Sequence, residues 1–386
     1  MKIYTPPIIT AKAKISYGHG VNLVFCDILA RVDRNLGGKP QLFLPSWNNQ
    51  GKRSENVSLD KTNTEKEINE IEKRLETSLK PFGLDTFPIY RDNSTSSREL
   101  SQKAFSTLQA KGFILRKEDG SYVLSIGKIV RDTDLRVHLE RANYFPNHAG
   151  IKKRALDLIT NLDGEYPIAK ERTFATALPA EPDSPFKINP IFDLGVSPLL
   201  LSQESVDYSI DGSRTLLHGT IIPFIIWSGL KDVPFSRNVY VHGYAHLGKG
   251  IKDIPLDELA KKYGSDTVRF TLMSVTSSLE DKIIDEGVFH RGRKVVNKIK
   301  NLGKYFVSKN VNLDFLWNNS QVLERYLHTI VSEVVEEISE ETLKISADVS
   351  KNGASTTLIK RYSDLLVLSQ PVLPSTYSEI REMNKR

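Results

Sequence analysis

Cysteine is almost absent from this sequence, with Cys26 the only one in 386 residues. A single thiol excludes an internal disulfide and any zinc site built from several cysteines. Because the histidines are scattered as well, we expect no bound zinc and assign no metal-ligating residues. Cys26 falls inside an apolar helical pattern, and we expect it to be a small packed side chain.

Long apolar runs are also missing. The longest, Ile221 to Trp227, is interrupted by Pro223, so no stretch approaches the length of a membrane span. Since no signal peptide is recognisable either, we expect a cytoplasmic location and no membrane partner. The formal net charge of +6 at pH 7 is small, so it permits contact with a polyanion without requiring one.

The most informative stretch is Lys14 to Arg34. A loop with a histidine between glycines, Tyr17-Gly18-His19-Gly20, comes before an amphipathic helix whose apolar residues are at helical spacing. Upstream, Lys2 to Thr5 has the pattern of a buried strand ending at Pro6-Pro7. Glycine lets the backbone approach a ligand and a helix N-terminus attracts anions, so the arrangement is typical of a phosphate site. Taken alone, a Gly-His pair before a helix is more often an ordinary turn than a nucleotide site.

Further elements follow from periodicity and turn residues. A second strand, Gln41 to Pro45, predicts a βαβ unit with a parallel pair, and ligands bind where such strands end. The later expectations are an insertion from about 58 to 142 with a hairpin turning at Asp119-Gly120, a return to the sheet at Tyr166 to Arg172, a strand at Val239 to Tyr244, helices at Leu256 to Lys262 and Ser265 to Val275, and an all-helical tail from Glu286.

In this order, the segments resemble a class I aminoacyl-tRNA synthetase of the isoleucyl, valyl, leucyl and methionyl subclass. Ser16-Tyr17-Gly18-His19 stands where the family has His-x-Gly-His, and Trp47 to Gly51 is similar to its Trp-Asp-x-x-Gly segment. Val239 to Gly243 is similar to the strand before the family's Lys-Met-Ser-Lys-Ser loop, and Pro255 to Phe270 to the helix pair after it. The resemblance covers roughly residues 1 to 60 and 140 to 305.

The resemblance implies an α/β fold: a Rossmann-like (HUP-type) parallel-sheet nucleotide-binding domain with a small α+β insertion and a C-terminal helical bundle. The implied domains are a catalytic domain in two halves (1–60 and 140–275), a connective insertion (61–139) and a helical domain (276–386). The family activates an amino acid with ATP and Mg²⁺ and transfers it to tRNA for protein biosynthesis.

Site residues are carried over from the same motifs. The implied catalytic residues are His19 and Lys249. The implied ATP-binding residues are Ser16, Gly18, His19, Gly20, Asn22, His218, Gly219, His242 and Lys249, and the implied substrate-binding residues are Pro7, Trp47, Asn48 and Gln50. Lys252 is an alternative to Lys249. Structural interpretations stay open for His218 and His242, and Phe224 and Trp227 are expected in the core.

Three departures from the family bear on function. Ser16 replaces the first signature histidine, the lysine loop is shortened around Lys249, and Asn48 replaces the aspartate that binds the substrate's α-ammonium group. The insertion is also too short for an editing domain. An apolar pocket distinguishes one methylene by only about 10–200-fold, a range established with enzymes of this family, so faithful charging with isoleucine, valine or leucine needs editing.

We therefore expect a truncated synthetase paralogue that activates an amino acid or related carboxylic acid outside routine translation. Its acceptor is tRNA or another molecule. The alternative is a catalytically impaired paralogue that binds nucleotide or tRNA as a regulatory protein.

Overall fold

The computed structural model describes residues 1–4, 17–45, 73, 77–84, 89–90, 94–146, 148–162, 164–172, 175–200, 205–243, 245–248, 254–275, 282–311, 313, 323, 325–326 and 331–385. Among these residues, no helix combines the length and the apolar character that crossing a membrane requires.

The strands within these residues are β1 Lys2–Tyr4, β2 Gln41–Pro45, β3 Ile89–Tyr90, β4 Ile114–Arg116, β5 Tyr122–Ser125, β6 Asn143–Phe145, β7 Glu165–Glu171, β8 Phe186–Ile188, β9 Val206–Gly212, β10 Ser236–His242, β11 Ala245–Leu247 and β12 Lys282–Ile284. The α-helices are α1 Tyr17–Asn35, α2 Thr95–Ala110, α3 Ile126–Asp132, α4 Leu135–Arg141, α5 His148–Thr160, α6 Pro190–Val196, α7 Ile222–Lys231, α8 Leu256–Tyr263, α9 Ser265–Ser274, α10 Glu286–Ser308, α11 Val331–Asn352, α12 Thr356–Ser369 and α13 Pro374–Asn384. Short 3₁₀ turns occupy Lys80–Phe82 and Ser197–Leu200, and a π-helical turn occupies Leu217–Ile221.

The main sheet has six strands in the order β3-β2-β1-β9-β10-β6. β1 pairs in parallel with β2 and with β9, and the β2–β3 and β10–β6 pairs are parallel too. From β1 the chain moves outward to β2 and β3, whereas β9 and β10 lie on its other side. The strand order therefore reverses between β1 and β9, which is the position where open α/β sheets bind ligands. The predicted Rossmann-like fold is confirmed.

A second, antiparallel sheet has the order β4-β5-β7-β8. The predicted turn at Asp119-Gly120 joins β4 and β5, with Gly120 in the left-handed region at φ +84°. The expectation that Tyr166 to Arg172 returns to the parallel sheet is wrong. This segment contains β7, which pairs with β5 and β8 of the antiparallel sheet, as in the pairs Leu124–Tyr166 and Ala169–Ile188.

The chain divides into two compact units, each assembled from separate segments. The first comprises 1–14, 41–76 and 86–241. Its core includes a cluster of aromatic rings around Phe235, whose centroid lies 5.0 Å from Tyr4, 5.4 Å from Trp227 and 5.8 Å from Phe224. The Trp227 indole donates to Gly195 O at 2.9 Å. Phe224 and Trp227 are therefore core residues, as expected.

The second unit comprises 15–40, 77–85 and 242–386 and is mainly helical. In α1 the residues from Val21 to Ala30 are all buried, including Cys26. The helix ends where Gly37 adopts φ +85° and donates its N–H to Arg34 O, a conformation that favours glycine after a helix. The two helices predicted after residue 255 are α8 and α9, and α10 to α12 agree with the predicted helical tail.

A buried ion pair crosses the second unit. Arg269 of α9 is 0% exposed and contacts Asp27 of α1, which is 1% exposed, at 2.6 Å. The guanidinium also donates to three carbonyl oxygens, those of Phe82, Pro371 and Val372. One side chain thus links α1, α9, a 3₁₀ turn and the segment before α13.

Candidate functional site

The carboxyl ends of β1 and β9 meet where the strand order reverses. Tyr4 is paired with Ser209, two residues before Asp211 near the end of β9. Asp211 is 0% exposed. Its carboxylate accepts hydrogen bonds from the Gly212 N–H at 2.7 Å and from the hydroxyls of Thr215 at 2.5 Å and Thr220 at 2.9 Å. Burial outweighs these bonds and raises the pKa of Asp211 to about 7.

His218 lies on the π-helical turn that follows. The turn leads directly into α7, and such turns are frequent at functional sites. The His218 ring lies 6.2 Å from that of Tyr166 on β7. Partial burial, together with the nearby charge of Lys170, lowers the pKa of His218, so its ring is mainly neutral at pH 7.

The Gly-His segment lies inside α1 instead of in a loop before it. The helix begins at Tyr17, so His19 occupies its first turn. An added Cβ at Gly18 would meet no heavy atom within 4 Å among the described residues, whereas one at Gly20 would lie 2.9 Å from Leu256 Cδ2. Gly20 therefore packs closely against the Leu256 side chain, and Gly18 has open space beside it among the described residues.

His19 is held in its neutral form. Burial lowers its pKa to about 4, because a charged imidazole loses hydration there. At neutral pH the ring therefore carries one N–H donor and one lone pair. A phosphate beside it would favour the charged form and oppose this shift.

Asn22 and His242 bond to each other. His242 Nδ1 donates to Gly243 O at 2.8 Å, and its Nε2 lies 2.5 Å from Asn22 Oδ1. Burial lowers the pKa of His242, which favours a neutral ring. Because Nδ1 donates, Nε2 of a neutral His242 ring can only accept, so the Asn22 NH₂ group must point toward it. If the ring is charged, Nε2 carries a proton and can donate to Asn22 Oδ1. The contact therefore couples the protonation of His242 to the orientation of Asn22.

The backbone immediately before Lys249 is held by pairing with β12. β11 pairs in parallel with β12, and Gly248 N donates to Ile284 O at 2.7 Å. An added Cβ at Gly248 would lie 3.1 Å from Asp285 Cβ and 3.2 Å from Ile284 O. This close approach of two backbones favours glycine immediately before Lys249.

The predicted site residues fall into three groups. Gly18, His19, Gly20, Asn22 and His242 lie in the second unit, where Asn22 and His242 form a hydrogen bond, and His218 and Gly219 lie in the first. The others, Pro7, Ser16, Trp47, Asn48, Gln50, Lys249 and Lys252, lie outside the described residues.

Sequence reasoning missed Asp211. Its strand, β9, was not predicted, because Val206 to Gly212 combines alternating polar residues with a terminal Asp-Gly that is typical of a turn. The available signal was that alternation, with Val206, Tyr208 and Ile210 on one side of the strand.

Comparison with known proteins gives consistent results. The family model described as tRNA synthetases class I (M) matches residues 3–137. A valine–tRNA ligase from Pseudothermotoga lettingae is 31% identical over 158 residues, which are 37% of this chain and 18% of the relative. A second, from Clostridium tetani, is 24% identical over 168 residues, 39% of this chain and 18% of the relative.

The fold is shared with a solved synthetase. Mycobacterium tuberculosis methionyl-tRNA synthetase, in a structure bound by methionyl-adenylate, superposes with a TM-score of 0.76 at 14% identity, covering 99% of this chain and 94% of that one. In sequence, the chain spans about a fifth of the length of the two valine–tRNA ligases that it matches. Over the residues that they cover, these similarities confirm the predicted resemblance to class I tRNA synthetases.

Proposed function

We propose that this chain activates an amino acid or related carboxylic acid with ATP and transfers the acyl group to tRNA or another acceptor. The observation that carries the proposal is the placement of Gly18 and His19 in the first turn of the helix that follows β1. The helix N-terminus offers free N–H groups, His19 adds a neutral donor, and the space beside Gly18 lets a nucleotide approach.

In the proposed reaction, a substrate carboxylate oxygen attacks the α-phosphorus of ATP. The new O–P bond gives an acyl-adenylate, and the bond to the β-phosphate breaks so that pyrophosphate leaves with the electron pair. The protein's task is to orient the two reactants and to stabilise charge on the phosphates. His19 and the first amides of α1 would donate to the phosphates, and Lys249 would supply the positive charge.

Magnesium is implied by the family as the partner of ATP. The described residues contain no group of three His, Cys, Asp or Glu side chains able to hold a metal ion. Mg²⁺ commonly binds through substrate phosphates and water with few protein ligands.

Pyrophosphate exchange tests the reaction. Wild-type protein is incubated with ATP, labelled pyrophosphate and each member of a panel of amino acids and related acids, with and without bulk tRNA. Exchange with one class of acid supports the proposal. Loss of one preorganised donor costs about 10²–10³ in rate, so His19→Ala should be slower by that factor. If His19→Ala keeps full activity, His19 has no role in catalysis. ATP binding without exchange for any acid would instead favour the binding-protein alternative.

Asn48 gives a test of substrate class. The family resemblance implies that Asn48 would face the substrate's amino group, where a neutral amide would give roughly 0.5–1.5 kcal/mol and a carboxylate about 1.5–3. We therefore propose a substrate whose amino group is modified, displaced or absent. Asn48→Asp should raise exchange with standard aliphatic amino acids. Wild-type activation of leucine, valine, isoleucine or methionine at an ordinary synthetase rate would contradict this.

A further inference from the structure

The antiparallel sheet of the first unit has an open edge. In the order β4-β5-β7-β8, β4 is an end strand, and no strand pairs with its outer side among the described residues. The opposite edge is covered, because Ala177 forms a bridge to Lys187 of β8 and Ile188 N donates to Thr176 O at 2.8 Å. An uncovered edge is a template on which another strand can pair.

The pairing with β5 shows which backbone groups of β4 point outward. Phe113 O accepts from the last N–H of β5 at 2.7 Å, and Lys117 N donates to the residue before β5 at 2.8 Å. The direction alternates along an antiparallel strand, so positions 113, 115 and 117 face β5. The N–H and C=O groups of Ile114 and Arg116 therefore face the open edge, at equal distances on either side of position 115.

Leu115 is a large apolar side chain that is 40% exposed at this edge. It is paired with Val123 of β5, and Val123 is paired with Pro167 of β7. Directly opposed residues lie on the same face of a sheet, so the three side chains form an apolar row that ends at the open edge. A strand added beside β4 would bury Leu115 and lengthen this row.

The charges beside this edge are neutralised within the chain. Lysine and arginine on an edge strand normally oppose the pairing of another strand. Here Arg116 contacts Glu181 at 3.2 Å, and Lys117 contacts Glu165 at 2.7 Å. Strand addition at β4 therefore brings neither cation to the interface without a counter-charge.

We propose that β4 is an interface with a second copy of this chain, in which the two β4 strands pair antiparallel about a two-fold axis at Leu115. The axis places Ile114 opposite the partner's Arg116 as a hydrogen-bonded pair, and a second such pair follows by symmetry. Leu115 then faces the partner's Leu115 as a non-hydrogen-bonded pair, in which the side chains are closest.

This edge is complementary to itself, which favours a second copy over a different partner. Its outward donors and acceptors are symmetric about Leu115, and the two apolar rows join end to end across the axis. Each copy uses its open edge once and the β8 edge is covered, so association closes at a dimer instead of continuing as a filament.

A cysteine cross-link tests the register. Cys26 is the only cysteine and is buried, so Leu115→Cys supplies one accessible thiol per chain. The two Cα atoms of a non-hydrogen-bonded pair are about 4.5 Å apart, within the range that a disulfide requires. Mild oxidation should convert most of this variant to a covalent dimer. Ile283→Cys is the control, because Ile283 is 69% exposed but lies in the second unit, and it should stay mainly monomeric.

Sedimentation equilibrium tests the backbone pairing without a cross-link. Arg116→Pro removes an outward N–H, and with it two hydrogen bonds of the dimer, but no bond to β5, and proline is tolerated at such edge positions. Its dimer Kd should be at least about tenfold above that of Arg116→Gln, which keeps the N–H, at similar Tm. Leu115→Lys places two like charges opposite each other and should raise Kd by a similar factor.

Three outcomes would overturn the interface. The first is a wild-type protein that is monomeric at every concentration up to its solubility limit. The second is a dimer whose Kd is unchanged in both Leu115→Lys and Arg116→Pro, which would place the contact elsewhere. The third is equal cross-linking of the Leu115→Cys and Ile283→Cys variants, which would mean that the disulfide forms by random collision.

Discussion

Replacing Arg269 with methionine should destabilise the second unit strongly. Arg269 and Asp27 are both at most 1% exposed, and their side chains are 2.6 Å apart. Methionine fills much of the space of arginine but has no positive charge. The variant therefore leaves the Asp27 carboxylate buried with one cation among the described residues, Arg31, whose Nε donates to it at 2.7 Å.

The size of the effect follows from the groups left behind. Removing one member of a buried ion pair costs about 3–5 kcal/mol. The partly exposed Arg31 offsets some of this cost, whereas Phe82, Pro371 and Val372 each lose a donor to their carbonyl oxygens, at about 1–3 kcal/mol for a fully buried group. We expect a net loss of about 3 kcal/mol or more. Asp27→Asn should cost a similar amount.

A double-mutant cycle separates the ion pair from the carbonyl contacts. The variant with both Asp27→Asn and Arg269→Met leaves neither Asp27 nor Arg269 as an unpaired buried charge, so its cost should be smaller than the sum of the single costs by about 2 kcal/mol. Native-state hydrogen exchange in α1 and α9 measures the free energies within one unit, and peptides of the first unit serve as the internal reference. Strict additivity, or a loss below about 1 kcal/mol in Arg269→Met, would refute the assignment of a coupled pair.

Three further predictions concern glycine, histidine and carboxylate positions. Gly18→Ala should stabilise α1 by about 0.5–1 kcal/mol and weaken the binding of ATP measured by calorimetry. Gly20→Ala should lower Tm instead, because its Cβ would lie 2.9 Å from Leu256 Cδ2. Equal affinities of wild type and Gly18→Ala for ATP would contradict the role proposed for the space beside Gly18. Because the pKa of His19 falls from 6.5 to about 4, stability should decrease as pH falls from about 6.5 toward 4, and a His19→Gln variant should lose that part of the decrease in denaturant titrations. Because the pKa of Asp211 rises from 3.8 to about 7, stability should decrease as pH rises between those values, and Asp211→Asn should raise Tm at pH 8 but not at pH 4; an unchanged Tm at pH 8 would contradict the cost assigned to this carboxylate.

The sequence was sufficient to predict the elements that have regularly spaced apolar residues and clear turn residues at their ends. β2 begins and ends as predicted, and the fully buried face of α1 follows from the spacing of its apolar residues. The assignment of Tyr166 to Arg172 failed because local pattern does not specify which strands pair. β7 finds its partners in the insertion hairpin and in β8, which are contacts distant in sequence.

Only part of the candidate site could be predicted from the sequence, for a similar reason. Family motifs pointed to Gly18, His19 and His242 residue by residue, but none of the motifs used pointed to the buried carboxylate of Asp211. The buried Asp211 carboxylate accepts hydrogen bonds from Thr215 and Thr220, which form only when the end of β9 and the turn after it are both in place. Likewise, the sequence shows Asn22 and His242 as separate candidates, whereas the fold makes them partners.

The interleaving of the two units has a consequence for synthesis on the ribosome. α1 is translated well before Arg269 and before the carbonyl groups of Pro371 and Val372 to which Arg269 donates. At a translation rate of about 5–20 residues per second, α1 and the Asp27 carboxylate lack these native contacts for a time on the order of tens of seconds. During that interval α1 is a natural target for chaperones, and codon changes that slow translation between α1 and α9 should increase aggregation of the nascent chain without altering the finished protein.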